Sequence, residues 1–159
     1  MTTRVGIGYD SHRFSAGRPL RLGGVTIPHT HGLAGHSDGD VVLHAVVDAL
    51  LGAVAAGDIG TFFPDDDPQW KGADSTRFLK KVLDTLQQDH YAVRQVDVTV
   101  IAERPKLAER IAAMRAATAK ALNVDVAAVS IKAKTNEGMG WLGRGEGIAA
   151  VAVATVGTA

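Results

Sequence analysis

Apolar and polar positions follow two different periods along the chain, and these periods predict a mixture of strands and helices. Residues 4–9 alternate with a period of two, which is typical of a strand with one buried face. Two short apolar runs flank the pair Gly23-Gly24 and predict a hairpin, because glycine adopts positive φ without steric cost. The predicted strands are 4–9, 20–22, 25–27, 96–101, 129–132 and 148–156.

Apolar positions spaced near 3.6 residues predict three helices between these strands. The first has a capping-box-like start at Ser37 and Asp40, and the second has Asp74 or Ser75 as its cap. Asn123 is suited to end the third. The predicted helices are about 38–56, a segment containing Phe78–Leu86, and a segment beginning at Pro105; the predicted loops are 29–37, 61–73 and 138–147.

The order of these elements predicts a single α+β domain over residues 1–159. We expect a mixed four-stranded sheet with helices on one face and a small separate hairpin, in a ferredoxin-like arrangement. The last strand has small apolar residues at nearly every position from Gly147 to Gly157, so we expect both of its faces to be buried. In so short a chain, a subunit interface could cover one of those faces.

Composition narrows the classes of function. Lys plus Arg and Asp plus Glu each number 17, so the basic excess typical of nucleic-acid binding is absent. The chain has no cysteine, which excludes disulfides, thiol nucleophiles and thiolate metal ligands and suits a cytoplasmic location. The longest apolar run, 41–56, is interrupted by His44 and Asp48 and is too short to span a membrane. The N-terminus does not resemble a signal peptide.

Metal-ligand residues occur at two places. Asp40, His44 and Asp48 recur every four residues on an otherwise apolar helix, so they share one stripe. That stripe could simply be exposed and carry helix-stabilising ion pairs. However, Asp10 and His12 are two apart and project to the same side of extended backbone. Asp10, His12 and His44 match the count of three protein ligands in catalytic zinc sites, with Asp48 or Asp40 able to orient His44.

Other histidines and loops suggest contacts to anions. The pair His29 and His31 is a competing metal motif, but it lies in a loop and we expect it to be exposed. His36 and Ser37 stand at a helix N-terminus, where backbone N–H groups attract phosphate. The segments 103–107 and 134–137 also follow strands and carry cations. A metal site beside such loops points to metal-assisted phosphoryl chemistry.

Over its whole length the chain resembles the 2-C-methyl-D-erythritol 2,4-cyclodiphosphate synthase family of the non-mevalonate isoprenoid pathway. The most specific segment is the block His36–Gly60, HSDGDVVLHAVVDALLGAVAAGDIG. It is joined by GYDSH at Gly8–His12 and by GRGEGIA at Gly143–Ala149. The segments FPDDDP and KGADS complete the match.

The resemblance implies an IspF-like fold, a homotrimer with active sites between adjacent subunits, and a zinc ion on Asp10, His12 and His44. It implies that His36 and Thr135 stabilise phosphoryl oxygens in the transition state, and that Mg²⁺ or Mn²⁺ on the substrate diphosphate lies near Glu137. It also allows an isoprenoid phosphate on the trimer axis, near Arg144. The implied substrate-binding residues are Ser37, Asp58, Ile59, Gly60, Phe63, Asp65, Ala102, Pro105, Lys106, Leu107, Ala108, Lys134, Asn136, Glu137, Trp141 and Arg144.

The implied reaction is ring closure of 4-diphosphocytidyl-2-C-methyl-D-erythritol 2-phosphate to the cyclic diphosphate, with release of CMP. Two alternatives stay open at this point. One is a zinc phosphohydrolase in which water replaces the internal phosphate as nucleophile. The other is a trimeric metal- or isoprenoid-binding module without turnover.

Overall fold

The computed structural model describes residues 2–158, which form seven strands and five helices. Short 3-10 turns at Pro68–Trp70, Ala108–Arg110 and Val126–Ala128 connect some of them. In chain order the elements are β1 (Thr3–Ser15), β2 (Leu20–Leu22), β3 (Val25–Ile27), β4 (Gly32–Leu33), α1 (Val41–Ala53), α2 (Ile59–Phe62), α3 (Thr76–Gln88), β5 (Tyr91–Ile101), α4 (Ile111–Leu122), β6 (Val129–Lys134), α5 (Gly140–Gly143) and β7 (Gly147–Thr158).

The main sheet has five strands in the order β4-β1-β7-β5-β6. The pair β5–β6 is parallel and the other pairs are antiparallel, so the sheet is mixed as predicted. The count of four strands was wrong, because Gly32–Leu33, predicted as loop, pairs with the end of β1. The ferredoxin-like arrangement was also wrong, because that fold has the order βαββαβ, whereas here β6 and β7 follow each other at the end of the chain.

The helices pack on one face of the sheet, as predicted, and α1 lies across β1, β7 and β5. The approach of α1 to β1 is very close. A Cβ atom placed on Gly8 would lie 1.9 Å from the carbonyl oxygen of Ala45, and one placed on Gly6 would lie 1.9 Å from that of Ala49. The two glycines therefore allow helix and strand backbones to touch, which brings the side chains that follow on β1 against α1.

The hairpin β2–β3 is confirmed, and its turn is tied to the start of α1. Gly23 and Gly24 both have positive φ. Their N–H groups donate to the Asp40 carboxylate at 2.9 and 2.7 Å, and the Leu43 N–H donates to it at 3.1 Å. Asp40, not Ser37, is thus the N-cap of α1. Burial and the nearby Asp38 charge raise the pKa of Asp40, although these N–H donors favour its charged form.

Element ends differ from the predictions in several places. The first helix spans Val41–Ala53, not 38–56, and α4 begins at Ile111 instead of Pro105. Asn123 does end α4, in the left-handed conformation expected of a C-terminal cap. Apolar periodicity locates the helices, but local hydrogen bonds at their ends determine where they begin and stop.

The face of the sheet away from the helices has an exposed apolar patch on β1 and β7 in the single chain, whereas Asp97 and Lys132 form an ion pair beside it on β5 and β6. Val5, Ile7 and Tyr9 on β1 are 63%, 70% and 55% exposed, and Val153 on β7 is 38% exposed. The register pairs Ile7 with Val153, so these side chains form one continuous surface. The expectation that both faces of β7 are buried therefore holds in the single chain only for residues 147–150; farther along the strand, Val151 and Thr155 are partly buried and Val153 is exposed. No helix in residues 2–158 is long and apolar enough to cross a membrane.

Candidate metal centre and active site

Asp10, His12 and His44 converge at the point where β1 passes over α1. His12 Nε2 and His44 Nδ1 lie 2.8 and 3.0 Å from Asp10 Oδ2, and 3.1 Å from each other. Ligand atoms around a tetrahedral zinc ion lie about 3.3 Å apart, given bond lengths of about 2.0–2.1 Å. The three donor atoms therefore form a triangle of nearly the size that zinc requires, and they are the nitrogen and oxygen types that zinc accepts.

The electrostatics of this group also suit a cation. Burial tends to raise the pKa of Asp10, but hydrogen bonds and charge interactions with His12 and His44 outweigh it and hold that pKa well below its usual range. Burial tends to lower the pKa of His12, but the Asp10 carboxylate raises it above its ordinary value. The lowered pKa of Asp10 thus favours its charged form in a partly buried site.

The other side of the His44 ring faces two serines. His44 Nε2 lies 2.9 Å from Ser75 Oγ and 3.1 Å from Ser37 Oγ. Neither Asp48 nor Asp40 contacts the His44 ring, so the expectation that one of them orients this histidine was wrong. Asp40 instead caps α1, and Asp48 lies one turn farther along the helix, where it accepts from the Ile59 N–H at 2.8 Å.

A cavity of about 210 Å³ opens above the three metal-type ligands. His36 enters it from the loop before α1, and its Nε2 lies 3.1 Å from the backbone oxygen of Asp67. The predicted residues that line the cavity are Asp10, His12, His36, Ser37, His44, Ile59, Gly60, Phe63 and Asp65. The competing pair His29 and His31 is exposed and does not line it, as expected.

Helix α2 forms one wall of this cavity, and two aspartates fix it. Asp58 caps the helix by accepting from the Thr61 N–H and hydroxyl, both at 2.8 Å. Asp48 holds the first residue of α2, Ile59, against α1. Burial raises the pKa of Asp48, although its hydrogen bond to Ile59 opposes this. The three residues of the polar stripe therefore have separate roles. Asp40 caps α1, His44 provides a metal-type ligand, and Asp48 holds α2, which forms a wall of the cavity.

A second cavity, of about 520 Å³, lies at the end of β5 and β6. Its volume falls in the range of small-molecule pockets. The predicted residues that line it are Ala102, Pro105, Lys106, Leu107, Ala108, Lys134 and Thr135. Thr135 and His36, the two predicted transition-state residues, therefore line different cavities in one chain.

Asp58, which caps α2, lines neither cavity. The other predicted substrate-binding residues that line neither cavity lie beyond β6 and are Asn136, Glu137, Trp141 and Arg144. Glu103 organises this loop by accepting from the N–H groups of Asn136, at 2.9 Å, and Gly138, at 3.2 Å. Glu137 between them is exposed and has a φ of +53°, which is uncommon for a residue other than glycine. Arg144 is exposed and pairs with Glu146 at 2.8 Å, and Trp141 lies in the short helix α5.

Sequence reasoning assigned Phe63 to the site but not Phe78 and Trp70, the other aromatic residues that line the first cavity. The Phe78 ring stacks on His44 with centroids 5.6 Å apart and on Phe63 at 4.3 Å. Trp70 contacts both phenylalanines, and its Nε1 is a buried donor without a partner in residues 2–158. Phe78 was recognised only as part of an apolar helix face and Ser75 only as a cap, because their side chains reach His44 through tertiary packing.

Fold and site together define a class of protein: an α+β protein with a His₂Asp donor set, of the kind found in catalytic zinc sites, at the base of a small cleft. The YgbB family model matches residues 3–157, and the chain belongs to that family.

Known proteins similar to this chain carry one recurring name. The chain is 55% identical, over 98% of its length and 99% of the relative's, to the 2-C-methyl-D-erythritol 2,4-cyclodiphosphate synthase of Salinibacter ruber. Among solved structures, a CDP-bound 2C-methyl-D-erythritol-2,4-cyclodiphosphate synthase matches with a TM-score of 0.89 and 36% identity, covering 97% of this chain and all of that one.

A second structural match is to the bifunctional IspDF of Campylobacter jejuni, with a TM-score of 0.95 and 39% identity. It covers 99% of this chain, which spans only 43% of that longer protein. The present chain therefore corresponds to one part of the bifunctional protein.

Proposed function

We propose that this protein is a 2-C-methyl-D-erythritol 2,4-cyclodiphosphate synthase of the non-mevalonate isoprenoid pathway. The observation that carries the proposal is the convergence of Asp10, His12 and His44 beside His36, within a chain that matches synthases of this name over nearly its whole length. Residues 1–159 act as a single catalytic domain, and we place the protein in the cytoplasm.

Asp10, His12 and His44 would hold a zinc ion, since their donor atoms and spacing fit it. When bound, zinc would supply charge that polarises and orients a phosphate oxygen, and a Mg²⁺ or Mn²⁺ ion arriving on the substrate near Glu137 would neutralise diphosphate charge. The absence of thiolates leaves these nitrogen and oxygen donors as the strong ligands of the chain.

The protein's own residues then position a substrate that carries its own nucleophile. A phosphate monoester has a second pKa of about 6, so near pH 7 the 2-phosphate is largely dianionic and needs no strong general base. The enzyme must place this oxygen in line with the β-phosphorus, so that CMP leaves from the opposite side. His36 and Thr135 are the residues that we assign to stabilising the phosphoryl oxygens.

The division of the predicted residues between two cavities supports an active site made by two chains. His36 and the metal-type ligands line the first cavity, whereas Thr135, Ala102 and residues 105–108 line the second. We propose that the second cavity receives the cytidine end of the substrate and that α2, with Phe63 and Asp65, encloses the methylerythritol end. The structural relative captured with CDP supports a nucleotide ligand.

The exposed apolar face of the sheet supports a homotrimer that joins these cavities. Val5, Ile7, Tyr9 and Val153 would leave water on assembly, and association through an apolar face of this kind is driven by the hydrophobic effect. We further propose that an isoprenoid phosphate binds on the trimer axis near Arg144. The Arg144 guanidinium pairs with Glu146 at the surface and is accessible to such a ligand.

The direct test is product analysis with the zinc- and Mg²⁺-supplied protein and 4-diphosphocytidyl-2-C-methyl-D-erythritol 2-phosphate in ¹⁸O-labelled water. We expect CMP and an unlabelled cyclic diphosphate, identified by ³¹P NMR and mass spectrometry. A linear product containing ¹⁸O would identify a hydrolase instead, and no turnover would favour a binding module. His44→Ala should lose zinc and activity while remaining folded, whereas His31→Ala, at an exposed loop position, should keep both.

The shared site has its own test, in which two inactive variants are mixed. His36→Ala and Thr135→Ala chains, unfolded together and refolded as mixed trimers, should regain activity in about a quarter of the sites if each site takes the two residues from different chains. If both residues come from one chain, every site keeps one defect and no activity returns.

A further inference from the structure

A buried chain of polar groups continues behind His44, away from the cavity. The Nδ1 side of its imidazole faces Asp10 and His12, whereas Nε2 faces Ser75 Oγ at 2.9 Å. Ser75 is fully buried at the start of α3, and its hydroxyl is hydrogen bonded to the carboxylate of Asp38. Asp38, Ser75 and His44 therefore form a continuous hydrogen-bonded path to the metal-type ligands.

The direction of the hydrogen bonds in this path follows from the chemistry of its members. An ionised carboxylate can only accept, so the Ser75 hydroxyl donates to Asp38. The backbone N–H groups of Ser75 and Asp40, each 3.0 Å from the Asp38 carboxylate, hold that carboxylate in place. With its proton directed to Asp38, the Ser75 oxygen can only accept from His44. His44 Nε2 must then carry the proton, which leaves Nδ1 with a free lone pair.

We infer that Ser75, oriented by Asp38, holds His44 in the tautomer whose Nδ1 can bind a metal ion. A histidine ligand binds through an unprotonated nitrogen, and hydrogen bonding at the other nitrogen fixes the ring and its tautomer. Ser75 and Asp38 are positioning residues, since neither lines the cavity. The inference rests on the proposed metal centre. It means that Ser75 at the start of α3 and Asp38 in the loop before α1 both contribute to metal affinity.

Ser37 does not replace Ser75 in this role. Its Oγ lies 3.1 Å from the same nitrogen, but it accepts only a long 3.4 Å contact from the Gly39 N–H and has no carboxylate to direct its proton. Its hydroxyl can therefore donate to His44 as readily as accept, and it also faces the cavity. Ser37 can compensate only in part when Ser75 is changed.

The test is the zinc affinity of Ser75→Ala, measured by competition with a chromophoric chelator. We expect binding about tenfold weaker than in the unchanged protein, at the lower end of the range for residues that orient metal ligands. The matched control is Thr118→Val, which also removes a buried hydroxyl, one that donates to the Gly23 carbonyl at 3.3 Å. Thr118→Val should bind zinc as the unchanged protein does.

A second readout reports the proton directly. In zinc-loaded protein with ¹⁵N-labelled histidine, the His44 Nε2–H resonance should be visible and shifted downfield by its hydrogen bond, and in Ser75→Ala it should move upfield and exchange faster with water. If Ser75→Ala does not fold, Asp38→Asn answers the same question, because its amide can donate to the Ser75 oxygen and remove the acceptor; its zinc affinity should fall likewise.

Equal zinc affinity in Ser75→Ala and Thr118→Val, with an unmoved Nε2–H resonance, would overturn the inference and leave the metal centre intact. Failure of the unchanged protein to bind zinc would overturn the metal centre and this inference together. The two failures are therefore distinguished by the unchanged protein alone.

Discussion

Replacing Gly8 by alanine tests whether the close contact of β1 with α1 builds the metal centre. A Cβ atom at this position would lie 1.9 Å from the Ala45 carbonyl oxygen and 2.7 Å from the Ala49 nitrogen. Real Cβ contacts are essentially never shorter than 3.0 Å, so strand and helix must separate by about 1 Å or more. Both atoms belong to the backbone of α1, so no side-chain rotation can relieve the contact.

That displacement acts directly on the ligands, because Asp10 and His12 follow Gly8 on the same strand and His44 precedes Ala45 on the helix. Metal sites tolerate changes in bond length of about 0.2 Å, so a shift of about 1 Å exceeds the tolerance several times. We expect Gly8→Ala to bind zinc at least tenfold more weakly, with a loss of about 1–3 kcal/mol in the free energy of unfolding from overpacking. Such a variant should still fold at 25 °C.

The assay is zinc affinity by chelator competition, accompanied by denaturant unfolding of the metal-free protein. Gly52→Ala is the matched control, because Gly52 is an exposed glycine of α1 whose new Cβ would approach the Ile7 oxygen only to 3.8 Å. It should keep zinc affinity and gain about 0.5–1 kcal/mol of stability, as alanine is the better helix residue. Unchanged zinc affinity in Gly8→Ala would refute the argument.

Three further predictions concern the other parts of the fold that support the site. Asp40→Ala should lose about 3 kcal/mol or more of unfolding free energy, since two buried N–H groups and one part-buried N–H group lose their acceptor. The exposed cap variant Asp125→Ala should lose about 1 kcal/mol or less, and equal losses in chemical denaturation would contradict this prediction. Asp48→Ala should raise KM severalfold and leave the zinc content unchanged, because α2 loses its hydrogen bond to α1. Asp48→Asn keeps an oxygen acceptor for the Ile59 N–H and should have nearly the original KM in steady-state kinetics. A lower zinc content in purified Asp48→Ala would show instead that Asp48 supports metal binding. Ile7→Asp should sediment as an inactive monomer. Val126→Asp, at an exposed position in the turn before β6, should leave the assembly and turnover intact. An active Ile7→Asp monomer would exclude the shared site.

The sequence determined the types and order of most elements of this protein. Period-two alternation located β1 and the core of β5, the glycine pair located the hairpin, and the apolar run located α1, because side-chain periodicity reflects which face of an element is buried. The spacing of Asp10 and His12 placed both on one side of β1 for the same reason. These properties are local, so they can be derived from neighbouring residues alone.

Only the tertiary structure decided which partner each polar residue has. Asp40, His44 and Asp48 form one stripe in the sequence, yet each contacts a different element. Asp40 accepts from the hairpin turn, His44 contacts Asp10 on β1, and Asp48 accepts from the first residue of α2. Ser75, the N-cap of α3, contacts His44 although it lies 31 residues later in the chain. The order of the strands depends on β7 lying between β1 and β5. Contacts between segments far apart in the chain depend on how closely their backbones can pack. The two glycines of β1 permit close packing here, but the pattern of neighbouring residues does not show which segment will pack against them.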